Sequence, residues 1–206
     1  MLRIATIMAL MALALGACST EKQSSPPRTA TEQLLISTAA DRAVDKLNLS
    51  IPAGTKVFVD ASNFEGTDSK YAIATVRDHL LRQGVALVPK REAAQAVVEL
   101  RAGALSIDEK ETLVGIKSFD VPIPLTSSPL KLPEVALYKE TERKGIAKIA
   151  ATAYATADGK LIDSSDPAFG YSHKRKYNIL LFFSWRSNDL PKEKNDELID
   201  QLRDEW

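Results

Sequence analysis

The chain has 206 residues, 45% of them hydrophobic, with 27 lysines and arginines against 27 aspartates and glutamates. A net charge of +0 excludes the broad basic footprint that binding to nucleic acid requires. One cysteine and two histidines leave no material for a disulfide scaffold or a His/Cys metal site, so no cofactor or metal is expected.

The N-terminus reads in three parts. Arg3 supplies a positive charge, Ile4 to Leu15 form a nearly unbroken apolar run, and Gly16-Ala17 are small residues suited to a protease groove. The run is shorter than the ~20 residues a permanent membrane helix needs. Residues 1–17 are therefore expected to be a cleaved secretion signal. Leu15-Gly16-Ala17-Cys18 resembles the lipobox of bacterial lipoproteins, which implies that Cys18 carries diacylglycerol and becomes the mature N-terminus. Ser19, next to it, implies the outer rather than the inner membrane, with the protein facing the periplasm. Removing residues 1–17 takes away Arg3 and no acid, leaving 26 basic against 27 acidic residues. The acyl chains then have to supply the attachment, since each buried CH₂ contributes about 0.8 kcal/mol and no basic patch stands out in the sequence.

Residues 18–30 hold the lipidated cysteine and a tether rich in Ser, Thr, Gln and Pro that lacks the apolar content for a packed core. Residues 31–187 are expected to form one domain. Leu35, Ala39, Ala43 and Leu47 recur at spacings of four and predict a helix over 31–48. After Pro52-Ala53-Gly54, Lys56 to Asp60 is a short apolar strand expected away from a sheet edge. A polar loop leads to a helix over 70–83, with Gly84 where a helix C-terminal glycine belongs. Val85 to Val88 is a second strand, Arg91 to Gln95 a short helix, and Ala96 to Ile107 a longer strand. Residues 113–137 carry Pro122, Pro124, Pro129 and Pro133, which exclude a long helix or a central strand despite many Val, Ile and Leu. Gly145 to Ala155 alternates as a strand, Asp158-Gly159 is the best hairpin turn, and Lys160 to Asp163 returns from it. Tyr177 to Trp185 is expected to be one closing strand. Residues 188–206 form an acidic tail, with Leu198, Leu202 and Trp206 on one face of a short helix.

The element order predicts an α+β fold, a mixed sheet with two main helices packed on it. Lys56 to Asp60, the helix before Gly84, Val85 to Val88 and the run Ala93 to Leu100 resemble the N-terminal domain of the TolB type, shared by curli-secretion (CsgG-like) lipoproteins. The insertions that would make the membrane hairpins of curli-type pores are missing. As a whole the chain resembles an uncharacterised family of proteobacterial outer-membrane lipoproteins.

Catalytic signatures are sparse. No Gly-x-Ser-x-Gly and no phosphate-binding glycine loop occurs. His79 and His173 lack partners at helical spacing. Asp60, at a strand end, reads as a capping carboxylate more readily than as a catalytic acid. Asp163 and Asp166 around Ser164-Ser165 fit either a cation or an ordinary turn. Lys174-Arg175-Lys176 reads as a solvated edge, or as a contact to headgroups or anionic glycan. No enzyme is expected. The chain reads as a non-enzymatic accessory or assembly subunit of an envelope system, with a homo-oligomer or an envelope protein as partner; the alternative is a small binding module for a lipid or cell-wall ligand. Candidate contact residues are Val121, Ile123 and Leu125, which alternate with prolines, and Trp185. Trp185 sits either on a strand buried on both sides or at the membrane interface. The 113–137 segment serves either as a contact surface or as a cover for its own sheet.

Overall fold

The computed structural model describes residues 28–122, 129–180 and 183–191. Helix α1 spans Ala30–Val44 and opens with a capping box: the Thr29 hydroxyl accepts the Glu32 N–H, and the Glu32 carboxylate accepts the Thr29 N–H. Arg28 makes a two-pronged ion pair with Asp68 at 2.7 and 2.9 Å. Arg28 and Thr29, which the sequence reading placed in the tether, are thus held by the ion pair and the cap, and Ala30 already belongs to α1.

Strand β1 (Lys56–Asp60) is followed by α2 (Ser69–Arg82) and β2 (Ala86–Leu87), with Gly84 at φ +87° supplying the left-handed turn that ends α2. After a single 3₁₀ turn at Arg91–Ala93 come β3 (Ala96–Ile116), β4 (Phe119–Val121), β5 (Leu130–Leu132) and β6 (Val135–Ala155). Strands β7 (Leu161–Ser164), β8 (Ala168–Ile179) and β9 (Phe183–Asn188) complete the described chain. The main sheet has the order β2-β1-β3-β6-β8-β9, with β7 paired to the base of β6; β4 and β5 form a separate two-stranded sheet. Strands β2, β1 and β3 run parallel, and the rest pair antiparallel. The α+β expectation, two helices on a mixed sheet, is what the structure shows. β1 lies inside the sheet, as its apolar content predicted.

Both helices pack on one face. Ile36, Ala39, Ala43, Val76 and Leu80 form one buried cluster with Val57, Val98, Leu100, Ala147, Ile149, Ala151 and Ala153. The closest approach is α1 on β6 and β8, where Gly145 and Gly170 leave room for the helix backbone: a Cβ on Gly170 would overlap the Ala39 carbonyl oxygen. Between them Ser172, fully buried, donates to the Leu35 carbonyl at 2.6 Å.

Three expectations change. β3 and β6 are each 21 residues long, far longer than 96–107 and 145–155. Their charged outer halves pair from Asp108↔Lys144 to Leu113↔Lys139, so opposite charges and ladder hydrogen bonds support strand where apolar alternation is absent. Second, 177–185 is not one strand buried on both sides. It is a hairpin: the chain reverses after Ile179, Leu180 adopts φ +49°, and Tyr177 pairs with Trp185. Third, Lys174 to Lys176 lie within β8, paired on both sides, rather than at a solvated edge.

A candidate contact surface on the open sheet face

Side chains alternate between the two faces of each strand, so the register assigns them. At the outer end of the sheet, on the face opposite the helices, Val114, Tyr138, Ile179 and Phe183 stand in one row across β3, β6, β8 and β9. The next row brings Tyr177 against Trp185, their rings stacked at a centroid distance of 5.1 Å. Phe183 is 66% exposed, Val114 54% and Trp185 47%. Ile116, Leu130, Val135, Leu137 and Leu180 around this end are exposed as well. Large apolar side chains scattered singly are ordinary, whereas a contiguous set at one end of a sheet marks a binding surface.

Polar groups border the rows. The Tyr138 hydroxyl donates to Glu140 at 2.8 Å, and that bond holds its proton, moving the phenol above its ordinary range. One step inward Arg175 donates to Glu142 at 2.8 Å, keeping that carboxyl below its usual range. Further in, Lys144 and Lys148 sit over the rings of Tyr171 and Phe169, at 4.3 and 5.3 Å from the centroids. The surface thus has an apolar tip and a charged collar.

Of the expected contact residues, Trp185 belongs to this surface. Val121 is in β4, half-buried and paired with Leu130 on the smaller sheet, so it does not share a sheet with Trp185. Ile123, Leu125 and the lipidation candidate Cys18 lie outside the described residues. Val114, Tyr138, Ile179 and Phe183 were missed by sequence reasoning, because their row exists only once four strands are in register.

The remaining candidates have structural partners. Asp60 accepts both the amide and the hydroxyl of Ser62, at 3.0 and 2.7 Å, as expected of a capping carboxylate. These bonds hold its pKa below the ordinary value. Asp163 takes the Ser50 amide at 2.6 Å, and the neighbouring Ser165 hydroxyl is buried on the backbone of Ala151. The His79 ring lies 2.9 Å from the Leu47 carbonyl and joins α2 to the loop after α1. His173 lies 3.6 Å from Glu142 within the collar. Among the described residues no three His, Cys, Asp or Glu side chains converge as a metal site, and no helix is long and apolar enough to cross a membrane.

The chain belongs to DUF6655, a family of unknown function whose model matches residues 12–181. No curated protein matches it. Among solved structures it is similar to LpoB of E. coli, determined by NMR, with 14% identity, 76% of this chain and 78% of that chain covered, and a TM-score of 0.36. It is also similar to the C-terminal domain of LpoB from Salmonella enterica, with 14% identity, 66% and 96% covered, and a TM-score of 0.32. Both superpose too loosely to bear on the site or on the TolB resemblance.

Proposed function

We propose that this member of DUF6655 is a lipid-anchored, periplasm-facing outer-membrane protein that acts without catalysis, as an accessory or assembly subunit of an envelope system. The reading rests on the exposed apolar rows Val114–Tyr138–Ile179–Phe183 and Tyr177–Trp185. A sheet end that leaves its large apolar side chains exposed while presenting stacked aromatics within a charged collar has the make-up of a protein interface, with an apolar centre and a polar rim. The anchor reading rests on the Leu15 to Cys18 motif and the apolar run before it.

A photo-crosslinking amino acid at position 183, introduced in the cell, tests the contact. A discrete envelope adduct, lost when the crosslinker is moved to Lys70 on α2, is the expected result. Equal labelling at both positions would reject this face as the interface.

A second reading, a binding module for a lipid or cell-wall ligand, has one observation in its favour. A cleft of about 750 Å³ opens between the first turns of α1 and α2, lined by Leu34, Ser37, Asp68 and Tyr71. That is a volume suited to a small ligand. Lipid co-purifying with a monomer would favour this reading, and a defined oligomer the first.

A further inference from the structure

On the helix side of the sheet, just beyond the start of α1, cations face one another. Arg143 of β6 is the direct cross-strand partner of Lys174, and Lys176 of β8 is the direct partner of Arg186 of β9. All four point to the same face by alternation. Like charges directly opposite in a sheet cost stability, and two such pairs adjoin here. A pocket of about 180 Å³ lies among Thr141, Arg143, Lys174 and Lys176.

Among the described residues, acids compensate one member of the set. Arg143 pairs with Glu109 at 2.9 Å and Glu32 at 3.5 Å. Among the described residues no carboxylate reaches Lys174, Lys176 or Arg186. The Lys174 ammonium donates to the Thr31 hydroxyl at 3.1 Å, a neutral partner. Burial, then Arg186 and Arg143, push its pKa below the ordinary lysine value. The positive end of the α1 dipole adds to the same field, since Thr31 and Glu32 lie in its first turn.

We infer that the pocket formed by Thr141, Arg143, Lys174 and Lys176, with Arg186 beside it, binds a phosphate-bearing anion. A phosphate there would accept charge-assisted bonds from the ammonium and guanidinium groups and relieve both repulsive pairs. Cys18 is ten residues before Arg28, a stretch that reaches at most about 35 Å when extended. A phospholipid headgroup is therefore within range if Cys18 is the anchor. That source alone rests on the lipoprotein reading; the pocket's chemistry does not.

The test uses the full lipidated chain in neutral detergent, titrated calorimetrically with inorganic phosphate, short-chain phosphatidylglycerol or short-chain phosphatidylcholine. Binding of phosphate or of phosphatidylglycerol, weakened by added salt and reduced about tenfold or more by Lys174→Gln/Lys176→Gln, is expected. Lys110→Gln, on the opposite face, should bind as the parent does. Phosphatidylglycerol without inorganic phosphate identifies a membrane surface as the source, and inorganic phosphate alone a soluble one; each supports the site. Absence of binding by both, or equal affinity in the double variant, overturns it. Lys176→Gln alone, at an exposed position, replaces the double variant if that variant unfolds. Palmitate labelling of Cys18→Ser reads the anchor separately.

Discussion

Tyr177 on β8 and Trp185 on β9 stack face to face, with centroids 5.1 Å apart and ring planes 22° from parallel, on the sheet surface that faces away from both helices. Trp185 is 47% exposed and on an edge strand, so little is buried behind it. Trp185→Ala should cost only about 1 kcal/mol, chiefly the ring pair. Thermal melting and crosslink yield at position 183 together check this: a nearly unchanged midpoint with a lost adduct is expected. A large fall in the midpoint would mean that this surface holds the fold together.

The fit of α1 to the sheet is steric. Gly170→Ala would drive a Cβ into the Ala39 carbonyl and the Ala43 amide, and should cost about 3 kcal/mol as the helix is forced off β8. Gly159→Ala meets nothing within 4 Å but retains φ +70°, so its cost should be about 1 kcal/mol. Denaturant unfolding of the two variants gives the comparison, and equal losses would contradict the packing argument.

Asp189 ties the end of β9 to α1. Burial raises its pKa, but the His173 amide and the Arg42 guanidinium outweigh that, leaving it below the ordinary aspartate value. A carboxyl depressed on folding contributes stability that is fully present above its unfolded pKa and is lost as pH falls through the folded one. Melting temperature should therefore decline below the ordinary aspartate range, and decline less steeply in Asp189→Asn. Identical acid profiles would show that the Arg42 link is not felt.

Protease should cut between Cys18 and Arg28 while leaving the rest intact, since Arg28 and Thr29 are held by Asp68 and Glu32. Mass spectrometry of the trimmed product gives the boundary. A first stable fragment starting well after Ala30 would show that the cap and the ion pair do not protect the entry to α1.

Cys18→Ser should abolish incorporation of a palmitate analogue and leave the signal uncleaved. Label kept on the variant would reject the lipobox reading.

Much of the fold was legible because its signals are local. The fourfold spacing that places Leu35, Ala39 and Ala43 on one helix face, the glycine after α2 and the Asp158-Gly159 turn each act within a few residues. The β8–β9 hairpin was not legible, since its turn includes Leu180 at φ +49° with no glycine, asparagine or proline to announce it. Residues 177–185 alternate as one strand would, and nothing local divides them.

Local signals along the chain set the α+β class, the two helices and the inner position of β1, because helix periodicity and apolar density are properties of short windows. What the charged halves of β3 and β6 do, and which residues meet at the tip, depends on contacts between distant segments. Asp108 to Thr112 become strand because Glu140 to Lys144 lie opposite them and supply ladder partners and opposite charge. Phe183 joins Ile179, Tyr138 and Val114, and Arg143 meets Lys174, through cross-strand register. Register is set by contacts between distant segments, and the face left open is set by where α1 docks on Gly145 and Gly170. A one-residue slip would carry each of these side chains to the other face, so the surface is a consequence of packing.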